Sequence, residues 1–265
     1  MKPIILIKIG GSLITDKNKA FTVNKKALDK ICSEIKKARK IGGKQLIIGH
    51  GAGSFAHFTA KKYQRKSGYC KHNDFFGMAD IQNSAARLNR IIIEKLLEQK
   101  VPAISINPST SYISENDQLK HLDTSSLIGA LRHNLLPVLY GDVIFDVKKG
   151  YTIFSTEKVL GFLAEELIKK DYKVEMMIHC GQTNGVYDEK GKTIEKINTA
   201  NFDEVKKAIS GSSGIDVTGG MIHKVEESLE LAKKGIKVLI IDGVEHGTLS
   251  QAIRGKKVLG TEIGE

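Results

Sequence analysis

Lysines and glycines stand in this chain as they do in sites that handle phosphate. Lys8 sits inside the apolar run 3-PIILIKI-9, one residue short of the pair Gly10-Gly11. A buried, unpaired ammonium there is costly unless an anion or a carboxylate meets it. Lys17 follows in the same loop, and Lys224 comes four residues after Gly220 in 218-TGGMIHK-224, on the first turn of a helix that opens on a Gly-Gly loop. Cations and backbone amides stabilise the charge that develops on a transferring phosphoryl group without any covalent step, so three lysines converging on glycine turns suit that reaction.

Further glycine turns follow other apolar runs. The segment 49-GHGAGSFAH-57 follows 45-QLII-48, Gly141-Asp142 follows 136-LPVLY-140, Gly185 comes soon after 174-VEMMIH-179, and Asp242-Gly243 closes 236-IKVLII-241. Exposed amides in such turns form anion sites at the carboxyl ends of strands, where ligands of open α/β sheets gather. Two familiar phosphate motifs are absent. The stretch from Gly185 to Thr193 has five residues between its glycines where a P-loop needs four. In 49-GHGAGS-54 a serine replaces the third glycine of the dinucleotide fingerprint, and no suitable acidic residue follows about 20 residues on.

The elements that must position these residues alternate between two periods. Short apolar runs at 3–9, 45–49, 102–106, 136–141, 174–179 and 236–242 read as buried strands, and amphipathic patterns at 23–42, 80–99 and 221–235 read as helices. Such a βα series predicts a three-layer αβα sandwich with a largely parallel central sheet. The segment 143-VIFDVKKGYTIF-154 alternates on either side of Lys148-Lys149-Gly150 and reads as a β-hairpin. No linker is visible, and a division into two lobes falls best near residues 169–173, giving 1–170 and 171–265.

Composition narrows the partners. The 265 residues carry 41 Lys and Arg against 30 Asp and Glu, a net charge of +11 that suits an anionic ligand. Yet the pairs Lys25-Lys26, Lys36-Lys37, Lys61-Lys62 and Lys169-Lys170 fall in amphipathic patterns and read as solvated helix faces. Aromatic residues do not interleave with them, which speaks against nucleic acid. No run approaches the ~18 apolar residues of a membrane span. Cys32, Cys70 and Cys180 are too scattered for a disulfide framework or a metal knuckle, so a reducing cytoplasm is expected.

As a set, 8-KIGGS-12 with Asp16-Lys17, the 49–57 loop, Gly141-Asp142, 184-NGVY-187 and 216-DVTGGMIHK-224 resemble the amino acid kinase superfamily, and within it most closely the isopentenyl phosphate kinase family. The resemblance runs through the chain in order. It implies the amino acid kinase fold, a small-molecule substrate phosphorylated by ATP with Mg²⁺, and a homodimer. Residues 1–170 would form the lobe for the phosphate acceptor and residues 171–265 the ATP lobe.

By the same resemblance, Lys8 and Lys17 stabilise the transferring phosphoryl group, with Glu157 orienting the lysines. Gly10, Gly11, Ser12 and Gly53 would surround the ATP phosphates, joined by Asn184, Gly185, Gly220 and Lys224. His57 would bind the acceptor phosphate, cradled by Gly51, Ala52 and Gly53 with Thr156 nearby. Met78, Ile81, Val143 and Ile153 would close around an isoprenoid tail.

Three departures from the family pattern stand out. Ala52 interrupts a run of glycines, and its methyl is tolerable only if positive φ is not needed there. Ala56 replaces a further glycine, and 181-GQTN-184 carries amides where the family's nucleotide loop is acidic. Two competing readings remain open at this point: a kinase of the same fold for another small phosphate or phosphonate such as fosfomycin, and a nucleotide-binding or storage protein without turnover.

Overall fold

The computed structural model describes residues 2–67, 75–211 and 220–265. Twelve strands and ten helices are seen among them, and eight of the strands form the central sheet. In chain order its members are β1 (Ile4–Ile9), β2 (Gln45–His50), β3 (Ala103–Ser105), β6 (Leu136–Tyr140), β9 (Val174–Gly181), β10 (Lys196–Ile197), β11 (Lys237–Asp242) and β12 (Thr261–Ile263). The other four, β4 (Tyr112–Glu115), β5 (Gln118–Leu122), β7 (Asp142–Asp146) and β8 (Gly150–Phe154), make a separate small sheet.

The central order is β10-β12-β11-β9-β1-β2-β6-β3. Pairing is parallel except where β12 meets β11, which matches the expected sheet. β1, with its β-branched IILIKI sequence, lies near the middle and is buried on both faces, as a central parallel strand requires. The sheet passes without a break from β1 to β9, so residues 1–170 and 171–265 are halves of one sheet.

Helices cover both faces. One face carries Ile5, Ile7 and Ile178 beneath α1 (Gly11–Ile14), α2 (Lys25–Ile41), α4 (Phe75–Glu98) and α10 (Thr248–Ile253), with Phe55 of α3 (Gly53–Ser67) at its edge. The opposite face carries Leu6, Ile47 and Met177 beneath α6 (Ser125–Arg132), α7 (Thr156–Lys169), α8 (Phe202–Gly211) and α9 (Gly220–Ala232). A short turn of helix, α5 (Pro108–Ser111), leads into β4.

Local signals explain the boundaries. Asn24 caps α2 by accepting the Ala27 N–H at 3.2 Å, and Gly42 ends it at φ 73°. Ser155 caps α7 through the Lys158 N–H. The expected hairpin is β7–β8, paired antiparallel from Asp142↔Phe154 to Asp146↔Gly150. A second hairpin, β4–β5, was not foreseen from the sequence. Its turn uses Asn116 and Asp117 at φ 51° and 65°, the two-residue geometry that Asn and Asp tolerate better than other residues with a side chain.

Candidate active site

The carboxyl ends of β1 and β2 lie side by side, and their loops interlock through backbone. A Cβ on Gly11 would fall inside the radius of Gly53 N, and one on Gly51 would lie 2.7 Å from Gly11 N. Gly53 adopts φ 52° and opens α3. Thr15 fastens the pair: its hydroxyl donates to Gly11 O at 2.7 Å and accepts the Ser54 N–H at 2.9 Å.

Ala52 lies between these glycines without positive φ and packs its methyl on the apolar cluster of Ala56, Met78, Ile81 and Tyr140. The conformational demand that would exclude alanine is therefore made at Gly53, one residue later. Ala56 is 5% exposed in the same cluster.

Above these loops lies a cavity of about 770 Å³. Its lining includes Lys8, Lys17, His57 and Glu157, together with Gly11, Ser12, Gly51 and Gly53. Lys8 Nζ meets Glu157 Oε1 at 2.6 Å, answering the question of what partners a lysine inside an apolar strand. Glu157 lies in the first turn of α7, where the helix dipole favours an anion. Burial pushes its pKa up, but the Lys8 ammonium, with further help from the field of His179, outweighs this and holds it at about 2.

His57 projects into the cavity from the first turns of α3 and remains exposed there. Partial enclosure of the ring, then the like charges of Lys61 and Lys8, hold its pKa below the ordinary imidazole value. The two histidines of the loop differ sharply. His50 is fully buried, with Nδ1 3.1 Å from Gly51 O and Nε2 3.2 Å from Asn89 Nδ2, and it stacks on Tyr140. Burial holds its pKa at about 4, so it is a neutral strut.

Thr156 also borders the cavity, but its hydroxyl donates to His50 O at 2.7 Å and pins the start of α7 to the end of β2. Ile81, Ile153, Phe154, Phe58 and Ala60 give the cavity an apolar wall as well. Met78 and Val143 do not reach this wall. They are 7% and 0% exposed within the cluster behind it, because α4 and β7 turn those side chains toward each other.

Asp142 was noted in the sequence only as part of a strand-end turn, yet it borders the cavity at 1% exposure. It accepts the N–H groups of Ser109 at 3.1 Å and Val143 at 2.9 Å, and burial pushes its pKa up to about 6. Thr15 and Asp142 carry no motif of their own, so only the spatial meeting of distant loops reveals them.

The model of the amino acid kinase family matches residues 3–242. The chain belongs to that family. It is 34% identical to the isopentenyl phosphate kinase of Methanocaldococcus jannaschii, over 98% of each chain. It is 31% identical to the isopentenyl phosphate kinase of Methanothermobacter thermautotrophicus, again over 98% of both. A crystal structure of an isopentenyl phosphate kinase superposes with a TM-score of 0.80 at 28% identity, covering 98% of this chain and 100% of that one.

On this amino acid kinase scaffold the residues expected to hold nucleotide are more dispersed. Gly10 does not offer its amide to a ligand: its N–H donates to Cys180 O at 2.8 Å and extends the β1–β9 ladder. Gly11 and Ser12, the first two residues of α1, have N–H groups that no intrahelical acceptor can use. Gly185, at φ 108°, is required by close approach to Thr261, whose hydroxyl accepts the Val186 N–H. The Asn184 N–H donates to Tyr187 Oη at 3.0 Å.

Gly220 opens α9 and half-buried Lys224 lies one turn on, while Asp216 to Gly219 of the same motif lie outside the described residues. Asn184, Gly185, Gly220 and Lys224 do not border the cavity that holds Lys8 and His57. Among the described residues no group of three His, Cys, Asp or Glu is placed to hold a metal ion. No described helix is long and apolar enough to cross a membrane.

Proposed function

We propose that this protein transfers the γ-phosphoryl group of ATP to isopentenyl phosphate, giving isopentenyl diphosphate and ADP. The observation that carries this reading is the mixed lining of the cavity, where His57, Lys8 and Lys17 share the walls with Ile81, Ile153 and Phe154. That mixture fits a phosphate monoester with a short hydrocarbon tail. It agrees with the names of the relatives that match over nearly the whole chain, both isopentenyl phosphate kinases.

An oxygen of the acceptor phosphate attacks the γ-phosphorus while the bond to the β,γ-bridging oxygen breaks, and ADP leaves with that electron pair. The attacking oxygen is already anionic, so no strong base is needed. What limits the reaction is repulsion between two anions, which His57 relieves on the acceptor while Lys8 and Lys17 relieve it on the transferring group. The Gly11 and Ser12 amides, and Lys224 from α9, serve the nucleotide phosphates. Mg²⁺ would be held by nucleotide oxygens, as is usual for this hard cation, and would neutralise part of the phosphate charge. The buried thiols of Cys32 and Cys180 fit work in the reducing cytoplasm.

An ADP-release assay across isopentenyl phosphate, dimethylallyl phosphate, fosfomycin, carbamate and small amino acids tests the reading. Turnover should be fastest with isopentenyl phosphate. Turnover confined to fosfomycin or to a carboxylate acceptor would replace it, and ATP binding without any turnover would make the chain a nucleotide-binding protein. Light scattering checks the expected homodimer.

A further inference from the structure

His179 has no place in the chemistry above, yet it stands directly behind it. It lies on β9 in register with Lys8 of β1, so the two side chains leave the sheet on the same face. It is 4% exposed, and its Nδ1 has no hydrogen-bond partner among the described residues. Three charged groups act on it: Lys8 from β1, Glu157 from α7 and Lys224 from α9. Burial is the chief cause that holds its pKa down at about 3; Glu157 opposes the shift and the two lysines add to it. The imidazole is therefore neutral at any working pH.

A buried ring nitrogen without a partner destabilises a fold, and an apolar residue would fill the same space without that cost. Lys8 and Glu157 border the cavity, whereas His179 does not. Its nearest route to a ligand in that cavity is through this ion pair. The pair is closed in this structure at 2.6 Å. Once the phosphates of substrate and nucleotide arrive, they draw the Lys8 ammonium toward themselves, and Glu157 loses its main partner while still enclosed.

We propose that His179 is a positioning residue whose Nδ1–H becomes the donor to the Glu157 carboxylate when Lys8 turns to the transferring phosphoryl group. A neutral donor suits this task, because a second cation would bind Glu157 permanently. Only hydrogen bonds are exchanged, and no proton changes owner. The inference rests on the assignment of phosphoryl transfer to this cavity.

The test is steady-state kinetics of the full chain with ATP and isopentenyl phosphate for three variants. His179→Asn keeps an N–H near the place of Nδ1, His179→Gln moves it toward the place of Nε2, and His179→Leu removes it. His179→Asn should stay within about threefold of the parent kcat, while the other two should lose about tenfold with both KM values unchanged, the loss expected for one hydrogen bond. In those two the acidic limb of the kcat profile should move up by about one pH unit, because Glu157 without its donor protonates more easily. Melting temperatures at or above the parent value would separate this from misfolding. Equal kcat in all three variants, or an unmoved acidic limb in His179→Leu, would overturn the proposal. If the parent fails to turn over isopentenyl phosphate, the functional reading falls by itself. The titration of Glu157 by carbon NMR with ATP bound, in the parent and in His179→Leu, then decides the matter, and identical curves refute it.

Discussion

The two halves of the sheet end in loops built on opposite plans. On the side proposed for the acceptor, β1 and β2 deliver glycine loops that touch backbone to backbone, with Thr15 bonded across them. On the side proposed for the nucleotide, 181-GQTN-184 is held by side chains: Gln182 Nε2 donates to Ser12 O at 2.9 Å, and the Asn184 N–H finds Tyr187 Oη. The first plan rests on backbone meeting backbone, while the second adds polar side chains around the tight glycine Gly185.

Lys17→Ala is the strongest way to break the comparison, since the acceptor side depends on a cation that packing does not hold. A loss of at least ~10³ in kcat is expected with ATP binding intact, at the upper end for removal of one transition-state donor. Full activity would remove Lys17 from the mechanism. Gly11→Ala attacks the backbone contact itself, and a methyl that overlaps Gly53 N should cost about 3 kcal/mol in chemical denaturation, the scale of overpacking. An unchanged midpoint would show that the loops can part.

His57→Ala should lower kcat roughly 10²-fold and raise the KM of the acceptor alone, again by the loss of one donor. Unchanged kinetics would sink the acceptor-site assignment. A finer test uses pH. His50 and His179 have folded pKa values near 4 and 3, below that of an unfolded histidine. The unfolded state therefore takes up protons first, and stability is constant above about pH 6.5 and falls as pH drops toward 4, by up to ~2.7 kcal/mol per unit for two groups. Asp142, raised to about 6, works in the opposite direction between about 4 and 6, because its protonated form is favoured in the fold. Denaturant midpoints across pH 4–7 should fall toward acid less steeply in His179→Leu than in the parent.

The smallest effect belongs to Ala52→Gly. Because Ala52 adopts ordinary φ and packs its methyl on the cluster, reverting it to the family's glycine should cost about 0.5–1 kcal/mol and leave the acceptor KM alone. A large gain in affinity would mean that the methyl obstructs the phosphate after all.

Much of this was legible beforehand. Lys8 announced itself as a charge in an apolar strand, and parallel strands with glycine at their carboxyl ends foretold where the cavity would open. What could not be read were contacts between loops distant in sequence. Nothing in 136-LPVLYGD-142 says that Asp142 will be buried against Ser109, and nothing in 174-VEMMIHC-180 says that His179 will stand beside Lys8. Met78 and Val143 were displaced for a related reason. Apolar residues near a tail pocket divide between the wall and the layer behind it, and only the rotation of each element decides which. The β4–β5 hairpin escaped notice because its strands are short and largely polar.

Asp146 sits where the two hairpins meet. Its carboxylate accepts the Ser114 hydroxyl and the N–H groups of Asn116, Asp117, Lys148 and Lys149, all between 2.9 and 3.2 Å, and together these donors hold its pKa well below the usual carboxylate range although burial opposes them. Four amides in turns near the surface therefore depend on one side chain. In hydrogen exchange they should behave as one slow group and be released together by Asp146→Ala. The hairpin that brings Ile153 and Phe154 to the cavity is thus tied to a neighbour 30 residues earlier in the chain, so that one carboxylate joins the pocket wall to a second hairpin.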